Sequence, residues 1–327
     1  MASEIAAQPA VLARLLTDEA AHIGRVRKRL LQYRPRFVQF AARGTSDHAA
    51  LYGKYLVETR LGLPAGLASL SSVTLYGARP DMSGVLFLAV SQSGHSPDVV
   101  EATAQARAYG ALTVAVCNDP SSALAETAEQ VIEIRAGAER AIAATKSYTA
   151  ELLALYLFLG GGAADALPAA VEATLDMASQ AIEAAQEMRH TDRLLFTARG
   201  LSYPTAREAA LKVMETSYLT ALAFSGADLL HGPLAVVDST LPVVAVAGAG
   251  PTTESMAAVI ARLEKRGARV LQVGPGRDLD IASANLEPDL APIVEILPLQ
   301  RLALELARAR GIDPDRPRAL SKITNTW

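Results

Sequence analysis

The chain has 327 residues, 50% hydrophobic and 20% charged, with a formal net charge of -3; that is enough apolar material for a substantial core, and the length suits two domains better than one. A near-balanced charge and a pI near 6.0 leave no cationic excess to neutralise a nucleic-acid backbone or anionic lipid, so neither is expected as a partner. No apolar run approaches membrane-spanning length and the first residues lack a basic-then-apolar leader pattern, which makes the cytoplasm the expected location.

The first 30 residues read as a helical arm. An apolar segment over 36–42 follows and ends in Gly44-Thr45-Ser46. A second apolar segment, 85–90, leads into Ser91-Gln92-Ser93-Gly94-His95-Ser96, then Pro97-Asp98 and a helical stretch over 99–109. The run 112–117 reads as a strand and holds the lone Cys117, for which a buried structural thiol is the better reading. Small residues over 160–164 can serve as a linker. Further short apolar segments at 194–198 and 241–247, each followed by small residues and helix, complete a pattern of buried parallel strands crossed by helices. The fold class is therefore α/β.

The pieces recur at fixed spacing. Ala42-Arg43-Gly44 returns as Ala198-Arg199-Gly200, an offset of 156; the strand ending at Val90 has a counterpart ending at Val246, again 156; Gly110-Ala111 matches Gly267-Ala268 at 157. One register at three landmarks indicates an internal duplication. The expected organisation is an arm over 1–31, a first domain over 32–160, a second over 175–311 and a tail over 312–327 carrying Lys322; the stretch 311–318 is too Pro-rich for helix or central strand and is expected to run extended.

In an open parallel sheet, ligands gather outside the carboxyl ends of the strands, where loops enter helix N-termini. Three hydroxyls around Gly94 before a helix offer donors to an anion, aided by the helix dipole. Asp98 opposes an anion there. Plain helix capping is the alternative meaning of these hydroxyls. The corresponding loop of the second half, Ala247-Gly248-Ala249-Gly250, has no hydroxyl, which favours a single anion site, in the first half.

A helix is expected from 204 to 222 in the second half. On it Glu208, Lys212 and Glu215 fall within roughly a 60° sector at 100° per residue. The stripe is either a solvated edge with i, i+4 pairing or a carboxylate and ammonium held together for proton transfer. Downstream, His231 lies beside Gly232-Pro233, and a lone histidine is structural more often than catalytic. Nothing has metal-ligand spacing, so no metal site is expected.

Taken together these motifs resemble the SIS (sugar isomerase) family: the isomerase part of glutamine–fructose-6-phosphate transaminase and the stand-alone SIS-type glucosamine-6-phosphate deaminases. The resemblance covers nearly the whole chain. It rests on Glu4-Ile5 with Gln8-Pro9, Gly44-Thr45-Ser46, Ser91-Gln92-Ser93-Gly94, Glu139 with Ala144-Thr145-Lys146, Ala210-Leu211-Lys212 with Glu215, His231-Gly232-Pro233-Leu234, and Pro317-Arg318 through Lys322.

The resemblance implies two tandem flavodoxin-like domains, each a parallel sheet flanked by helices, in a homodimer with shared active sites. It implies a phosphorylated sugar or amino sugar as substrate and no cofactor. Gly44, Thr45, Ser46, Ser91, Gln92, Ser93, Ser96, Ile142, Ala143, Glu208 and Ser321 match substrate-binding positions. Glu215 matches the base that moves a proton between sugar carbons 1 and 2, and Lys212 the cation near the developing oxyanion. His231 matches the ring-opening residue, and Lys322 the lysine that forms a Schiff base with an open-chain ketose. Such an amine reacts only when neutral, so neighbouring cations or desolvation are expected around Lys322.

Two departures bear on the activity. The synthase draws nitrogen through a glutaminase domain with a first-position cysteine, whereas the only cysteine here is Cys117, so this route is not expected. The form Gly94-His95-Ser96-Pro97-Asp98 is more like the stand-alone deaminases, and Arg43 stands where the synthase has a small residue. The expected reaction is glucosamine 6-phosphate to fructose 6-phosphate and ammonia. The alternatives are an isomerase or deglycase of another phosphosugar, such as a fructosamine 6-phosphate, and a non-catalytic sugar-phosphate sensor.

Overall fold

The computed structural model describes residues 1–177, 179–248 and 250–322. Helices α1 (Ala2–Ala6), α2 (Gln8–Asp18) and α3 (Ala20–Tyr33) open the chain. They lead into β1 (Phe37–Ala41), α4 (Thr45–Leu56), β2 (Ala65–Leu67), α5 (Leu70–Thr74), β3 (Val85–Ser91) and α6 (Pro97–Ala108). Next come β4 (Leu112–Cys117), α7 (Ala123–Thr127), β5 (Gln130–Glu133) and α8 (Lys146–Phe158). After 160–164, which is not helical, follow α9 (Leu167–Asp176), α10 (Ser179–Met188), β6 (Arg193–Ala198), α11 (Tyr203–Ser217), β7 (Thr220–Ser225) and α12 (Gly226–Leu230). The last elements are β8 (Val243–Val246), α13 (Thr253–Lys265), β9 (Val270–Val273) and α14 (Ala291–Ala309). Among the described residues no helix is long and apolar enough to cross a membrane.

The chain forms two compact units. One comprises Ala10–Glu139, Lys146–Asp165 and the tail from Leu320. Its sheet has five parallel strands in the order β2-β1-β3-β4-β5, with Val38 of β1 opposite Ala65 on one side and Leu86 on the other. Helices cover both faces, so the central strands are apolar without alternation: all six residues of β4 are buried, as are the last six of β3. Phe87, Ala89, Val99, Ala102 and Leu124 build the core under α6 and α7. On α4, Gly53 permits close packing, since a Cβ there would lie 2.7 Å from the Phe40 ring. Cys117 is fully buried, and burial pushes its thiol up to about 11, so little thiolate forms near neutrality.

The other unit comprises Met1–Pro9, Arg140–Thr145 and Ala166–Ala319. Its parallel sheet runs β7-β6-β8-β9, and Leu195, Val243, Ala245, Met256, Val259 and Leu263 form the core under α13. The expected arm, 1–31, thus supplies residues to both units.

The duplication reaches into side-chain chemistry. Gly44 after β1 and Gly200 after β6 both have positive φ, 56° and 58°. Two residues on, the Ser46 hydroxyl donates to Glu151 of α8 at 2.8 Å and the Ser202 hydroxyl to Glu295 of α14 at 2.9 Å. One expectation is corrected. The helix of the second half stops at Ser217 rather than 222, because Tyr218 turns left-handed (φ 56°). Residues 220–225 then pair with β6, Leu195 opposite Leu222, as β-branched and apolar alternation allows.

Candidate active site

In the five-stranded unit the loops after β1 and β3 converge on two helix N-termini. Gly44 is the N-cap of α4 and Ser96 the N-cap of α6. The Ser96 side chain makes no capping hydrogen bond, so the capping account of this hydroxyl fails and it is available to a ligand. Ser91 Oγ accepts the Gly94 N–H at 3.2 Å and Ser93 Oγ the His95 N–H at 3.3 Å. Each hydroxyl therefore keeps its own proton to donate, as an anion requires. Gly94 is needed for the turn: its φ is +66°, and a Cβ would lie 2.1 Å from Ser122 Oγ. Thr45 and Gln92 are half-buried at the rim.

Ser46 is turned away from a ligand through its side chain. Its hydroxyl proton is directed at the buried Glu151, so what it offers an anion is the backbone N–H in the first turn of α4. Glu151 was not among the sequence candidates, although a lone carboxylate on a helix whose residues are otherwise almost all apolar or small was its visible signal. The concern over Asp98 is also answered. Its carboxylate is 1% exposed and paired at 2.7 Å with the guanidinium of Arg43, which cancels its charge toward the loop. That pairing was not legible in sequence.

Lower in the same unit, Glu139 organises the start of α8. It accepts the Ser147 N–H at 3.2 Å and the Ser147 hydroxyl, and Lys146 Nζ donates to the Ala138 carbonyl at 2.7 Å. Lys322 Nζ lies 3.5 Å from Glu139 Oε2, with Ser321 exposed before it. A carboxylate thus neighbours Lys322, whose side chain is 28% exposed, where neighbouring cations or desolvation were expected.

In the four-stranded unit, α11 carries the charged stripe, and it is no solvated edge. Glu208 and Lys212 are fully buried, and the Glu215 side chain is 20% exposed. Lys212 Nζ lies 3.3 Å from Glu208 Oε1 and 2.6 Å from Glu215 Oε2. Helix α14 covers this face, with the Thr216 hydroxyl reaching the Ala303 carbonyl at 3.3 Å. Burial alone would push the Lys212 ammonium down, but the carboxylates of Glu208 and Glu215 outweigh it and hold it above the ordinary lysine value. Lys212 is a permanent cation, suited to stabilising an oxyanion and unable to act as a base near neutrality. Glu215, the member that meets solvent, is the one able to exchange a proton with a substrate.

The arm and tail motifs anchor this unit. Glu4 accepts the backbone N–H groups of Arg140 and Ala141, and Gln8 donates to Gln300 at 2.9 Å, which donates on to the Thr145 carbonyl at 3.2 Å. These bonds hold the segment bearing Ile142, half-buried, and Ala143, buried. Arg318 stacks on the Tyr218 ring at 4.2 Å while its N–H meets the Tyr218 hydroxyl at 2.8 Å. His231 is exposed and ends α12, before Gly232 at φ 139°. A cavity of about 300 Å³ between α1, α9 and α14, lined by Ile5, Glu172 and Arg301, holds none of the candidate residues.

Comparison with known proteins follows the same lines. The SIS domain model matches residues 33–160 and 187–275. The glutamine–fructose-6-phosphate aminotransferase (isomerizing) of Gloeobacter violaceus is 36% identical over 314 residues, covering 87% of this chain and 51% of the relative. The chain thus spans about half the length of the curated relatives it matches. A crystal structure assigned as a phosphosugar isomerase from Silicibacter pomeroyi superposes with a TM-score of 0.85 at 34% identity, covering 96% of this chain and 98% of that one. The C-terminal domain of glucosamine-fructose-6-phosphate aminotransferase from Francisella tularensis gives a TM-score of 0.86 at 26% identity, covering 97% of each chain. With two parallel sheets in one duplicated plan and a family match over both, the chain belongs to the SIS domain family and is homologous to the isomerase part of glutamine–fructose-6-phosphate aminotransferase.

Proposed function

We propose that the protein converts glucosamine 6-phosphate to fructose 6-phosphate and ammonia, joining aldose–ketose isomerisation to deamination. The observation that carries this reading is the ion triad of α11, an ammonium buried between two carboxylates with only Glu215 reaching solvent. Such a triad is weak as a device for stability, because desolvation offsets most of its attraction. A strongly perturbed buried lysine beside a solvent-reaching carboxylate is characteristic of a site of proton transfer.

In this mechanism the hydroxyls of Ser91, Ser93 and Ser96 donate to the 6-phosphate, and His231 assists opening of the sugar ring. Glu215 takes the proton from C2 of the open-chain aldehyde and returns it to C1. The C1 oxygen passes through an oxyanion that Lys212 stabilises, while Glu208 holds Lys212 in place. Proton delivery to C1, with an amine proton passing to the C1 oxygen, leaves C1 as a hydroxymethyl group and C2 as an imine; water adds to the imine, giving the ketone and releasing ammonia. Lys322 holds the open-chain ketose transiently as a Schiff base, formed with loss of water and hydrolysed by water to release fructose 6-phosphate and the free amine. The same reading includes a homodimer in which His231 of the partner subunit completes each site.

Ammonia release and fructose 6-phosphate formation from glucosamine 6-phosphate test the proposal. Glu215→Gln should retain sugar-phosphate binding and lose turnover by roughly 10²–10⁴-fold. Folded protein that turns over no hexosamine phosphate would sink it. Turnover of another phosphosugar in its place would identify an isomerase or deglycase, and binding with no turnover of any would identify a sensor.

A further inference from the structure

The hydroxyls of loop 91–96 are neutral donors, and a guanidinium, that of Arg43, lies just outside the loop. Strands β1 and β3 are neighbours in the order β2-β1-β3-β4-β5, and the chain's direction of winding reverses between them, which opens a crevice at their carboxyl ends. Arg43 sits just past β1, one residue before the N-cap of α4, and reaches across this crevice to Asp98 at the start of α6. Its Nε and Nη2 both lie 2.7 Å from Asp98 Oδ2.

The pair is polarised. Asp98 is 1% exposed while the Arg43 side chain is 51% exposed, so the carboxylate is inside and the guanidinium faces out. Asp98 Oδ1 is occupied by the Val99 N–H at 2.9 Å. A guanidinium has five N–H donors in a planar fork, and the edge turned toward Asp98 leaves the remaining donors free of that contact. A buried carboxylate that holds an outward guanidinium by one edge is an arrangement that orients a cation for a second anion.

We propose that Arg43 is a specificity-determining residue that contacts the phosphate of the substrate and selects its dianion, with Asp98 as the residue that positions it. This rests on the reading of loop 91–96 as a phosphosugar site. The purely structural alternative is a pin between the β1–α4 loop and α6, which would affect stability and leave ligand affinity alone.

Binding of fructose 6-phosphate, measured calorimetrically at pH 5.0 and pH 7.5 in a Glu215→Gln background, separates these. A phosphate monoester loses its second proton near pH 6, so the ligand is mainly monoanion at the lower pH and dianion at the higher. The other ionisable groups here are His95 in the loop with Asp119 facing it, and Asp47 and His48 in the first turn of α4. The contrast is therefore read between proteins that share those groups. Replacing both partners by neutral isosteres, Arg43→Met with Asp98→Asn, should weaken binding at least tenfold at pH 7.5 and much less at pH 5.0. Arg43→Lys keeps the charge and loses the fork, and should weaken binding several-fold at pH 7.5; it serves as the test if the double variant does not fold. Unchanged affinity and unchanged pH dependence in the double variant, or in Arg43→Lys where only it folds, would overturn the role of Arg43 while leaving the phosphate loop standing. Absence of binding by the parent at both pH values would overturn the phosphosugar reading, and this proposal with it.

Discussion

Glu295 of α14 offers a pH-dependent test of how the four-stranded unit is held together. Its carboxyl is 1% exposed and its bonded neighbour is the hydroxyl of Ser202 at 2.9 Å. Burial pushes the carboxyl up to about 7, while the hydrogen bond from Ser202 pulls the other way. The native protein therefore holds this proton more tightly than the unfolded chain, whose glutamate titrates at the ordinary value of 4.5. The stabilisation is fully present below pH 4.5, falls as pH rises toward 7 and is gone above it. A displacement of this size is worth roughly 3 kcal/mol in total, of which about 2.5 kcal/mol lies between pH 5 and pH 8. Glu295→Gln keeps the shape and hydrogen-bond acceptor of the protonated form without titrating. Urea unfolding followed by far-UV circular dichroism at pH 5 and 8 should show wild type losing about 2.5 kcal/mol more than Glu295→Gln across that interval. Parallel pH dependences of the two proteins would refute the reasoning.

Two further outcomes follow from the site. Gly94→Ala should lower stability by at least 1–3 kcal/mol and abolish sugar-phosphate binding, because residue 94 has a left-handed φ of +66° and its new Cβ would meet Ser122 at 2.1 Å; urea unfolding and calorimetric titration with fructose 6-phosphate check both, and a variant that binds normally would count against the loop geometry. Lys212→Met should cost about 3–5 kcal/mol, since it removes the ammonium that lies between the buried Glu208 and Glu215. Adding Glu208→Gln should recover part of that loss in the same unfolding measurement, and no recovery would mean that packing rather than charge is at stake.

Much of the architecture was legible because it depends on neighbours along the chain. Continuous apolar runs such as Val85 to Val90, short and followed by Gly or Ser, read as strands buried on both faces. The offset of 156 residues marks the duplication in the sequence, and Gly44 and Gly200 repeat it in backbone conformation. The end of α11 was misplaced because nothing in Tyr218 announces a left-handed residue. Apolar residues 219–224 continue a helical pattern as readily as they begin a strand, and only pairing with β6 decides between them.

The chemical residues divide in the same manner. Sequence by itself determined which groups are present and in what local order: three hydroxyls around Gly94, and a carboxylate, an ammonium and a second carboxylate on one helical face. It could not determine their protonation, exposure or long-range partners, because those depend on what the chain packs against them. The spacing of Glu208, Lys212 and Glu215 suits a wet surface equally well, and packing against elements such as α14, whose Ala303 meets Thr216 from 87 residues away, makes it a buried triad. Arg43 and Asp98 lie 55 residues apart, and Ser46 and Glu151 lie 105 apart. Electrostatic energy depends on distance in space and on access of water, and both are set by the tertiary fold.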